Sequence, residues 1–527
     1  MAAAPAAHAA HDADAVVVGA GPNGLVAANL LADAGWDVLV LEAEPEPGGA
    51  VRTAELTKPG YAHDLFSSFY PLGAASPWLT SLDLERHGLR WRRAPLVLAH
   101  PVPDGRAALL STDIDETAAS LDSFAPGDGD AWRLLYNLWE RVGDDFTEAL
   151  LKPFPPVGPG LRLLGRLKPS EVLRFARFAL LPVRRMGEEW FKGEGGRLLL
   201  AGNALHADLT PEAAGSGVFG WLLSSLGQQV GFPVPEGGAG ALTQALVDRL
   251  ASKGGRVETG ARVSSIDVRQ GRAVGVRTAD GTRIAARRAV LADVGAPALY
   301  HHLLPFDAVP ARLHADLRNF QYDSGTVKVD WAIDGEVPWA NEDVRRAGTV
   351  HLADSVDHLS DAAADLARNR VPAHPFLLVG QMHVADPTRS PEGTGTVWAY
   401  THVPNGAPFD DGGLERFADQ MEQVVERYAP GFRDTVQARH VMGPADFEAR
   451  DANLVGGAVN GGTSALYQQV VFRPTPGRAG ARTPVDGLFL ASASAHPGGG
   501  VHGACGGNAA VAALAQRRPW RAVTSRF

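Results

Sequence analysis

Residues Asp14–Glu42 read D-A-V-V-V-G-A-G-P-N-G-L-V-A-A-N-L-L-A-D-A-G-W-D-V-L-V-L-E, and this stretch decides the fold. Two short apolar runs, Ala15–Val18 and Val38–Leu41, are typical of buried parallel strands. A glycine-rich turn and a helical segment separate them. The order strand, turn, helix and strand therefore predicts a unit that binds a dinucleotide.

The turn and the end of the second strand carry the expected ligand contacts. In G-x-G-x-x-G, Gly19 makes the tight turn, Gly21 lets the backbone approach a diphosphate, and Gly24 lets the helix pack on the strand. The helix N-terminus attracts phosphate through its free N–H groups and its dipole. Glu42, 18 residues after Gly24, would accept hydrogen bonds from ribose hydroxyls. The expected contacts in this stretch are Gly19, Gly21, Pro22, Asn23, Gly24 and Glu42.

The residues that follow favour FAD over NAD. Gly48–Thr53 reads G-G-A-V-R-T directly after the acidic strand end. This pattern resembles the G-G-x-x-x-T extension of FAD-binding oxidoreductases of the amine oxidase and phytoene desaturase type. The resemblance implies contacts at Gly49, Arg52 and Thr53, and the guanidinium fork of Arg52 matches phosphate oxygens. The alternative for Arg52 is an ordinary surface arginine.

A second signature lies near the C-terminus. Gly487–Leu490 reads G-L-F-L, which predicts a short strand, and H-P-G-G-G-V-H-G follows at His496–Gly503. Its glycines let the backbone pass close to a flat ring. A helix expected from Gly506 or Gly507 to Leu514 would point its positive end at that ring. The contacts expected here are Ser492, Gly499, Gly500 and Val501.

These motifs resemble the phytoene desaturase-like superfamily of FAD-dependent oxidoreductases from Asp14 to about Arg517. P-G-Y-A-H-D at Pro59–Asp64 and P-E-G-G-A-G-A-L at Pro235–Leu242 fit the same resemblance. The nearest branch holds CrtO-type carotenoid ketolases and the pyridine nucleotide-disulfide oxidoreductase domain-containing protein 2 group. The resemblance implies a contact between adenine and the backbone around Val263.

The predicted fold class is α/β, with a Rossmann-like FAD-binding domain of the GR2 type and an inserted, mixed α+β substrate domain. A chain of 527 residues exceeds one ordinary core, so two domains are expected. The predicted boundaries are 14–60, 235–300 and 485–527 for the FAD domain, 61–234 and 301–484 for the substrate domain, and 1–13 for a flexible tail.

The hydrophobic pattern predicts individual elements inside these segments. Ala239–Lys253 has the pattern of an amphipathic helix. Strand-like runs occupy Gly325–Ile333, Phe376–Val384 and Gly395–Val403. The first inserted segment is predicted to be mostly helical.

Composition argues against several classes of function. The net charge of −10 disfavours nucleic acid as a partner. A single cysteine, Cys505, allows neither an internal disulfide nor a C-x-x-C pair, so we expect a cytoplasmic protein that is not a disulfide reductase. No second G-x-G-x-x-G follows a strand, so no separate NAD(P) domain is expected. The histidines form no metal-binding motif, and no metal is predicted.

Four side chains are candidates for acid or base catalysis beside the flavin. They are His63, Asp64, His496 and His502. Flavin N5 takes hydride from a C–H bond, and histidine titrates near neutrality if a proton must also leave. The alternatives are structural: His63 and Asp64 fix a turn, and His496 orients the glycine loop.

Residues 150–185 form a basic segment in an acidic chain. Eight lysines and arginines, interleaved with leucine and phenylalanine, stand against a single acid, Glu171. One interpretation is an amphipathic surface that touches an anionic membrane transiently and admits a lipophilic substrate. The other is a helix pair that buries its leucines and keeps its arginines in water.

Three functions fit these observations. The first is an FAD-dependent dehydrogenase, desaturase or oxidase that takes hydride from a C–H bond of a lipophilic, terpenoid- or polyketide-like small molecule. The second is an FAD amine oxidase, for which an aromatic pair facing the flavin would be expected. The third is a non-catalytic flavoprotein that acts through protein partners.

Overall fold

The computed structural model describes residues 12–516, whose strands form two seven-stranded sheets and two small two-stranded ones. The strands, in chain order, are β1 (Ala13–Val18), β2 (Val38–Leu41), β3 (Thr53–Ala54), β4 (His63–Asp64), β5 (Trp91–Arg92), β6 (Leu96–Pro101), β7 (Ala107–Leu110), β8 (Val234–Pro235), β9 (Arg256–Glu258), β10 (Val263–Arg269), β11 (Arg272–Thr278), β12 (Arg283–Ala292), β13 (Gly325–Asp334), β14 (Ala347–Leu352), β15 (Leu377–Gln381), β16 (Thr394–Val403), β17 (Val436–Met442) and β18 (Leu488–Leu490).

The α-helices cover the faces of the two large sheets. In chain order they are α1 (Pro22–Asp33), α2 (Pro71–Ala75), α3 (Pro77–Thr80), α4 (Ile114–Asp122), α5 (Asp128–Leu151), α6 (Val157–Arg166), α7 (Pro169–Leu180), α8 (Val183–Trp190), α9 (Glu194–Leu205), α10 (Ser216–Val230), α11 (Gly240–Ser252), α12 (Ala296–Ala298), α13 (Ala311–Leu317), α14 (Val356–Ala367), α15 (Met382–Ala385), α16 (Gly413–Tyr428), α17 (Phe432–Thr435), α18 (Pro444–Arg450) and α19 (Ala504–Ala515).

The first large sheet is a Rossmann-like sheet, which confirms the predicted fold class. Its order is β10-β11-β12-β1-β2-β9, with β18 beside β12, and β1 pairs in parallel with both β2 and β12. Val17 packs on the side of α1, α11 and α19, whereas Val16 packs on the opposite side with Leu299 and Leu313. Both faces are covered, so these strands are apolar at every position rather than at alternate ones.

The second large sheet has the order β17-β13-β16-β15-β14-β6-β7. It draws β6 and β7 from the first inserted segment and the other strands from the second, so this sheet is shared between them. β13 and β16 pair antiparallel from Gly325 with Val403 to Asp334 with Thr394. α16 covers one face through Phe417 and Met421.

Most predicted elements occur close to their expected positions. α11 starts one residue later and ends one residue earlier than the predicted helix. The strand predicted at Phe376–Val384 is shorter, because β15 ends at Gln381 and α15 follows it. Ala13 was predicted to lie in the flexible tail, but it is fully buried as the first residue of β1. Residues 1–11 of that tail lie outside the described residues.

Helices α1 and α19 cross with their backbones in direct contact. A methyl group added to Gly506 of α19 would lie 1.8 Å from the carbonyl oxygen of Asn23 in α1. At the start of α1, a methyl group on Gly24 would lie 2.3 Å from the carbonyl oxygen of Gly19. Backbone atoms on both sides leave no room for a side chain, so glycine is required at both positions.

We predict that Gly506→Ala destabilises the protein by about 1–3 kcal/mol, because the new methyl group overpacks the α1–α19 crossing. Gly160→Ala is the matched control, since Gly160 also lies in a helix but has no atom within 4 Å of an added methyl group. The control should be neutral or stabilising by up to about 1 kcal/mol through helix propensity. Denaturant unfolding measures both, and equal stabilities of the two variants would contradict the prediction.

Candidate functional site

A cleft of about 270 Å³ lies at the carboxyl ends of β1, β2, β12 and β18. Ligands of parallel α/β sheets bind at this edge, where the strand ends and the helix N-termini converge. Two further stretches, Arg450–Leu454 and Val459–Gly461, complete the wall from the second half of the chain. The cleft therefore joins segments that are hundreds of residues apart in the sequence.

Most of the predicted cofactor contacts line this cleft. The lining includes Gly19, Gly21, Pro22, Asn23, Glu42, Gly49, Arg52, Val263, Ser492, Gly499, Gly500 and Val501. Gly24 and Thr53 stand behind the lining. Gly24 sits at the helix–strand crossing, and the hydroxyl of Thr53 donates to Asp64 at 2.9 Å.

The start of α1 forms a narrow backbone cradle. Its N-cap residue, Gly21, has no side chain to occupy the free N–H groups. A methyl group on Gly21 would lie 2.8 Å from Oδ2 of Asp293, and one on Gly49 would lie 3.1 Å from the Cα of Gly21. Uncapped N–H groups in a cradle without side chains suit a diphosphate.

Glu42 and Arg52 are held in place by backbone groups. Oε2 of Glu42 accepts from the N–H of Ala20 at 2.7 Å, and Oε1 accepts from the N–H of Glu44 at 2.9 Å. Nε of Arg52 donates to the carbonyl of Gly49 at 2.9 Å. The carboxylate and the guanidinium are thus oriented before any ligand binds.

The opposite end of the cleft is a wall of backbone. Gly498 and Gly500 adopt φ of +113° and +125°, which favour glycine. Val501 has a φ of +48°, a strained conformation for a β-branched residue, and such strain is concentrated at functional sites. The hydroxyl of Ser494 donates to the carbonyl of Gly461 at 3.0 Å and joins this wall to the neighbouring loop.

His496 and His502 flank the glycine wall without lining the cleft. Burial lowers the pKa of each to about 4, so both imidazoles are neutral at pH 7. Nδ1 of His502 accepts from the N–H of Ala504 at 3.0 Å and thereby caps α19. Backbone groups of Lys152 and Leu150 lie within hydrogen-bonding reach of the His496 imidazole, and the ring meets that of Phe154 at a centroid distance of 6.2 Å.

His63 and Asp64 lie away from the cleft, in a buried network of charges. Asp64 forms an ion pair with Arg389, and both side chains are fully buried. Nε2 of His63 lies 2.8 Å from the hydroxyl of Thr57, and its Nδ1 lies 3.4 Å from Asp330 of β13. These contacts tie β4 to the second sheet, which favours the structural interpretation of the pair.

Sequence reasoning missed Asp293 and Asn453. Oδ2 of Asp293 accepts from the N–H of Gly24 at 2.8 Å, and its carbonyl accepts from Nδ2 of Asn453 at 3.1 Å. Burial, followed by the charges of Asp451 and Glu42, raises the pKa of Asp293 to about 8. The sequence could have pointed to Asp293 through its position directly after the buried strand β12. No sequence feature pointed to Asn453.

The site fits FAD. It offers an uncapped helix N-terminus for the diphosphate, an oriented carboxylate for a ribose, and a glycine wall that a flat ring approaches without meeting side chains. α19 begins behind that wall at Gly503 and adds the positive end of its dipole.

Comparisons with known proteins agree with this assignment. A family model described as "Flavin containing amine oxidoreductase" matches residues 23–514. The chain is 29% identical to "Pyridine nucleotide-disulfide oxidoreductase domain-containing protein 2" of Rattus norvegicus, covering 94% of this chain and 92% of that protein. It is 26% identical to "Phytoene desaturase (neurosporene-forming)" of Rhodobacter capsulatus, covering 96% and 94%.

A solved structure shows the same fold. An oxidoreductase from Methanosarcina mazei superposes with a TM-score of 0.64 at 18% identity, covering 95% of this chain and 99% of that one. Together with the family match, these relatives confirm the predicted phytoene desaturase-like superfamily and FAD as the cofactor.

We predict that FAD affinity falls as the pH rises through about 8. Asp293 is neutral below that pH, and its ionisation would place a negative charge beside the diphosphate cradle, weakening binding roughly tenfold or more. Asp293→Asn keeps an acceptor for Gly24 and should bind FAD with little pH dependence. Fluorescence titration of apoprotein with FAD from pH 6 to 9.5 measures both, and parallel pH profiles would contradict the prediction.

Proposed function

Because the chain belongs to the flavin containing amine oxidoreductase family, we propose that it oxidises a lipophilic small molecule by taking hydride from one of its C–H bonds. The protein is an FAD-dependent oxidoreductase, and bound FAD supplies the hydride acceptor at flavin N5. The proposed substrate class is terpenoid- or polyketide-like. The observation that carries this class is an exposed apolar surface that begins beside the glycine wall.

That surface starts at Phe154 and continues along α6 and α7. Phe154 contacts His496, two residues before the glycine wall, and is itself partly exposed. Leu161 of α6 and Leu173 of α7 are 66% and 81% exposed. The large exposed apolar side chains of this surface are Phe154, Val157, Leu161, Leu164, Leu173 and Leu180. Exposed apolar side chains at this density on two neighbouring segments of the chain suit an apolar partner or a membrane boundary.

Most of the cations in residues 150–185 are neutralised by ion pairs. Six of its eight cationic side chains form ion pairs with acids elsewhere, namely Lys152, Arg162, Arg166, Arg177, Arg184 and Arg185. Arg162, for example, lies 2.7 Å from Asp145 of α5. Membrane contact, if made through this surface, therefore depends on its leucines more than on its arginines. Within residues 12–516, no helix combines the length and the apolar character needed to cross a bilayer.

The chain's own residues have the following proposed roles. The N-terminus of α1 and Arg52 hold the diphosphate, Glu42 holds a ribose, and Gly499–Val501 hold the flavin ring. Rigid placement of the ring against the substrate C–H bond, together with exclusion of water, is the main contribution that the protein makes to hydride transfer.

His496 is the proposed group for any proton that leaves with the hydride. Its imidazole is neutral and buried directly before the glycine wall, and backbone groups of Lys152 and Leu150 orient the ring. The position of Phe154 against this ring supports a route from the apolar surface to the reacting end of the cleft.

Amine oxidation is the second candidate, and the family to which the chain belongs favours it. This chemistry is expected to place an aromatic pair against the substrate side of the flavin, whereas the described cleft is the cofactor side, so its lining does not weigh against amine oxidation. The third candidate, a non-catalytic flavoprotein, predicts stable FAD binding without turnover.

We predict that a lipid fraction of host extract bleaches the flavin absorbance under anaerobic conditions and that polar fractions do not. Mass spectrometry of that fraction should then show a new C=C or C=O bond. A lost amine would favour amine oxidation, and a flavin reduced by light but by no fraction would favour the non-catalytic alternative. Gly21→Val, whose side chain meets Asp293, should lack FAD and serves as the control for chemistry without cofactor.

We also predict that Leu161→Ser combined with Leu173→Ser reduces binding to phospholipid vesicles by about tenfold or more, because each leucine would lose its apolar burial. Phe306→Ser is the matched control, since Phe306 is 77% exposed on another part of the surface. Sedimentation with vesicles measures binding, and raising the salt concentration should reduce it little. Unchanged sedimentation of the double variant would reject the membrane role.

A further inference from the structure

Arg473 is a fully buried cation whose charge meets backbone carbonyls and the side-chain amide oxygen of Gln469, which accepts from Nη1 at 3.1 Å. Its guanidinium donates six hydrogen bonds to the carbonyls of Asn460, Gly462, Thr463 and Ala493 at 2.7–3.3 Å. In the described part of the chain it forms no salt bridge with a carboxylate. A buried charge without an ion-pair partner is costly, so such an arrangement calls for a function.

The carbonyls that accept from Arg473 include those of the loop Val459–Thr463, and a buried carboxylate binds the N–H groups of that same loop. Asp323 accepts from the N–H groups of Val459, Asn460 and Gly462 at 2.8, 2.9 and 3.2 Å. The loop from Val459 to Thr463 is thus bound through its N–H groups by an anion and through its carbonyls by a cation. Val459 and Gly461 of this loop also line the cofactor cleft.

Only one layer of backbone separates the guanidinium from the cleft. A methyl group on Gly498 would lie 3.2 Å from Cζ of Arg473, and Gly498 lines the cleft. Ala493, whose carbonyl accepts from Arg473, lines it as well. Water does not screen a charge at this depth, so its field extends into the site.

We propose that Arg473 and Asp323 are opposed fixed charges that set the reduction potential of the flavin. Arg473 stabilises the negative charge of the reduced ring through the glycine wall, and Asp323 opposes that effect. Both act through the backbone and are positioning residues rather than catalytic ones. The inference rests on the proposed placement of the flavin ring against Gly499–Val501 and is independent of the substrate.

The test compares the midpoint potentials of FAD-loaded wild type, Arg473→Gln, Arg473→Lys and Asp323→Asn at pH 8. Burial lowers the pKa of Arg473 to about 10, and burial together with Asp208 raises that of Asp323 to about 6, so both groups are charged there. Arg473→Gln should shift the equilibrium at least tenfold toward oxidised flavin, about 30 mV for two electrons. Asp323→Asn should shift it in the opposite direction.

Arg473→Lys keeps the charge and should stay within about threefold of wild type. A purely structural role predicts that Arg473→Gln and Asp323→Asn both weaken FAD binding without opposite shifts in potential, and that result would overturn the proposal. If Arg473→Gln does not fold, the rise expected for Asp323→Asn decides alone. Unshifted potentials in variants that hold FAD leave the proposed function intact, whereas a wild type that cannot bind FAD overturns the proposed function itself.

Discussion

The site depends on backbone contacts that are closer than any side chain allows. α1 and α19 touch at Asn23 and Gly506; the N-terminus of α1 opens onto the cleft, and α19 starts behind the glycine wall. α1 contributes free N–H groups, and both helices contribute the positive end of their dipoles. The close crossing of α1 and α19 at Gly506 therefore sets where the N-terminus of α1 faces the cleft, and Arg52 adds a side-chain cation to the lining.

The electrostatic balance around this cradle is unusual, because acids are prominent in the lining. Burial raises the pKa of both Asp293 and Asp451; the charges of Asp451 and Glu42 raise that of Asp293 further, and the charge of Glu42 adds to that of Asp451. An anionic cofactor can bind there only if part of this charge is neutral or already bound to N–H groups. Asp293 meets the first condition by burial, and Glu42 meets the second through Ala20 and Glu44.

The sequence predicted the parts of the site that are local in the chain. Gly19, Gly21 and Glu42 belong to one strand–helix–strand unit, in which residue spacing alone determines geometry. Asp323 and Arg473 bind the same loop because segments far apart in the sequence fold together at the wall of the cleft. Residue spacing does not predict such long-range contacts. His63 and Asp64 were predicted to lie near the ring, and the structure places them outside the lining of the cleft, with Asp64 paired to Arg389. A polar pair in a motif gives the same signal whether it faces a ligand or a buried ion pair.

The exposed leucines of α6 and α7 are not explained by the stability of the fold. Leaving a leucine in water forgoes about 1.5–3 kcal/mol of burial, and Leu161, Leu164, Leu173 and Leu180 are all exposed. Six of the eight neighbouring cations are bound to acids, so the surface carries little free charge. An apolar surface whose cations are mostly paired recognises a ligand by its hydrocarbon more than by its charge, which is the chemistry that the proposed substrate class requires.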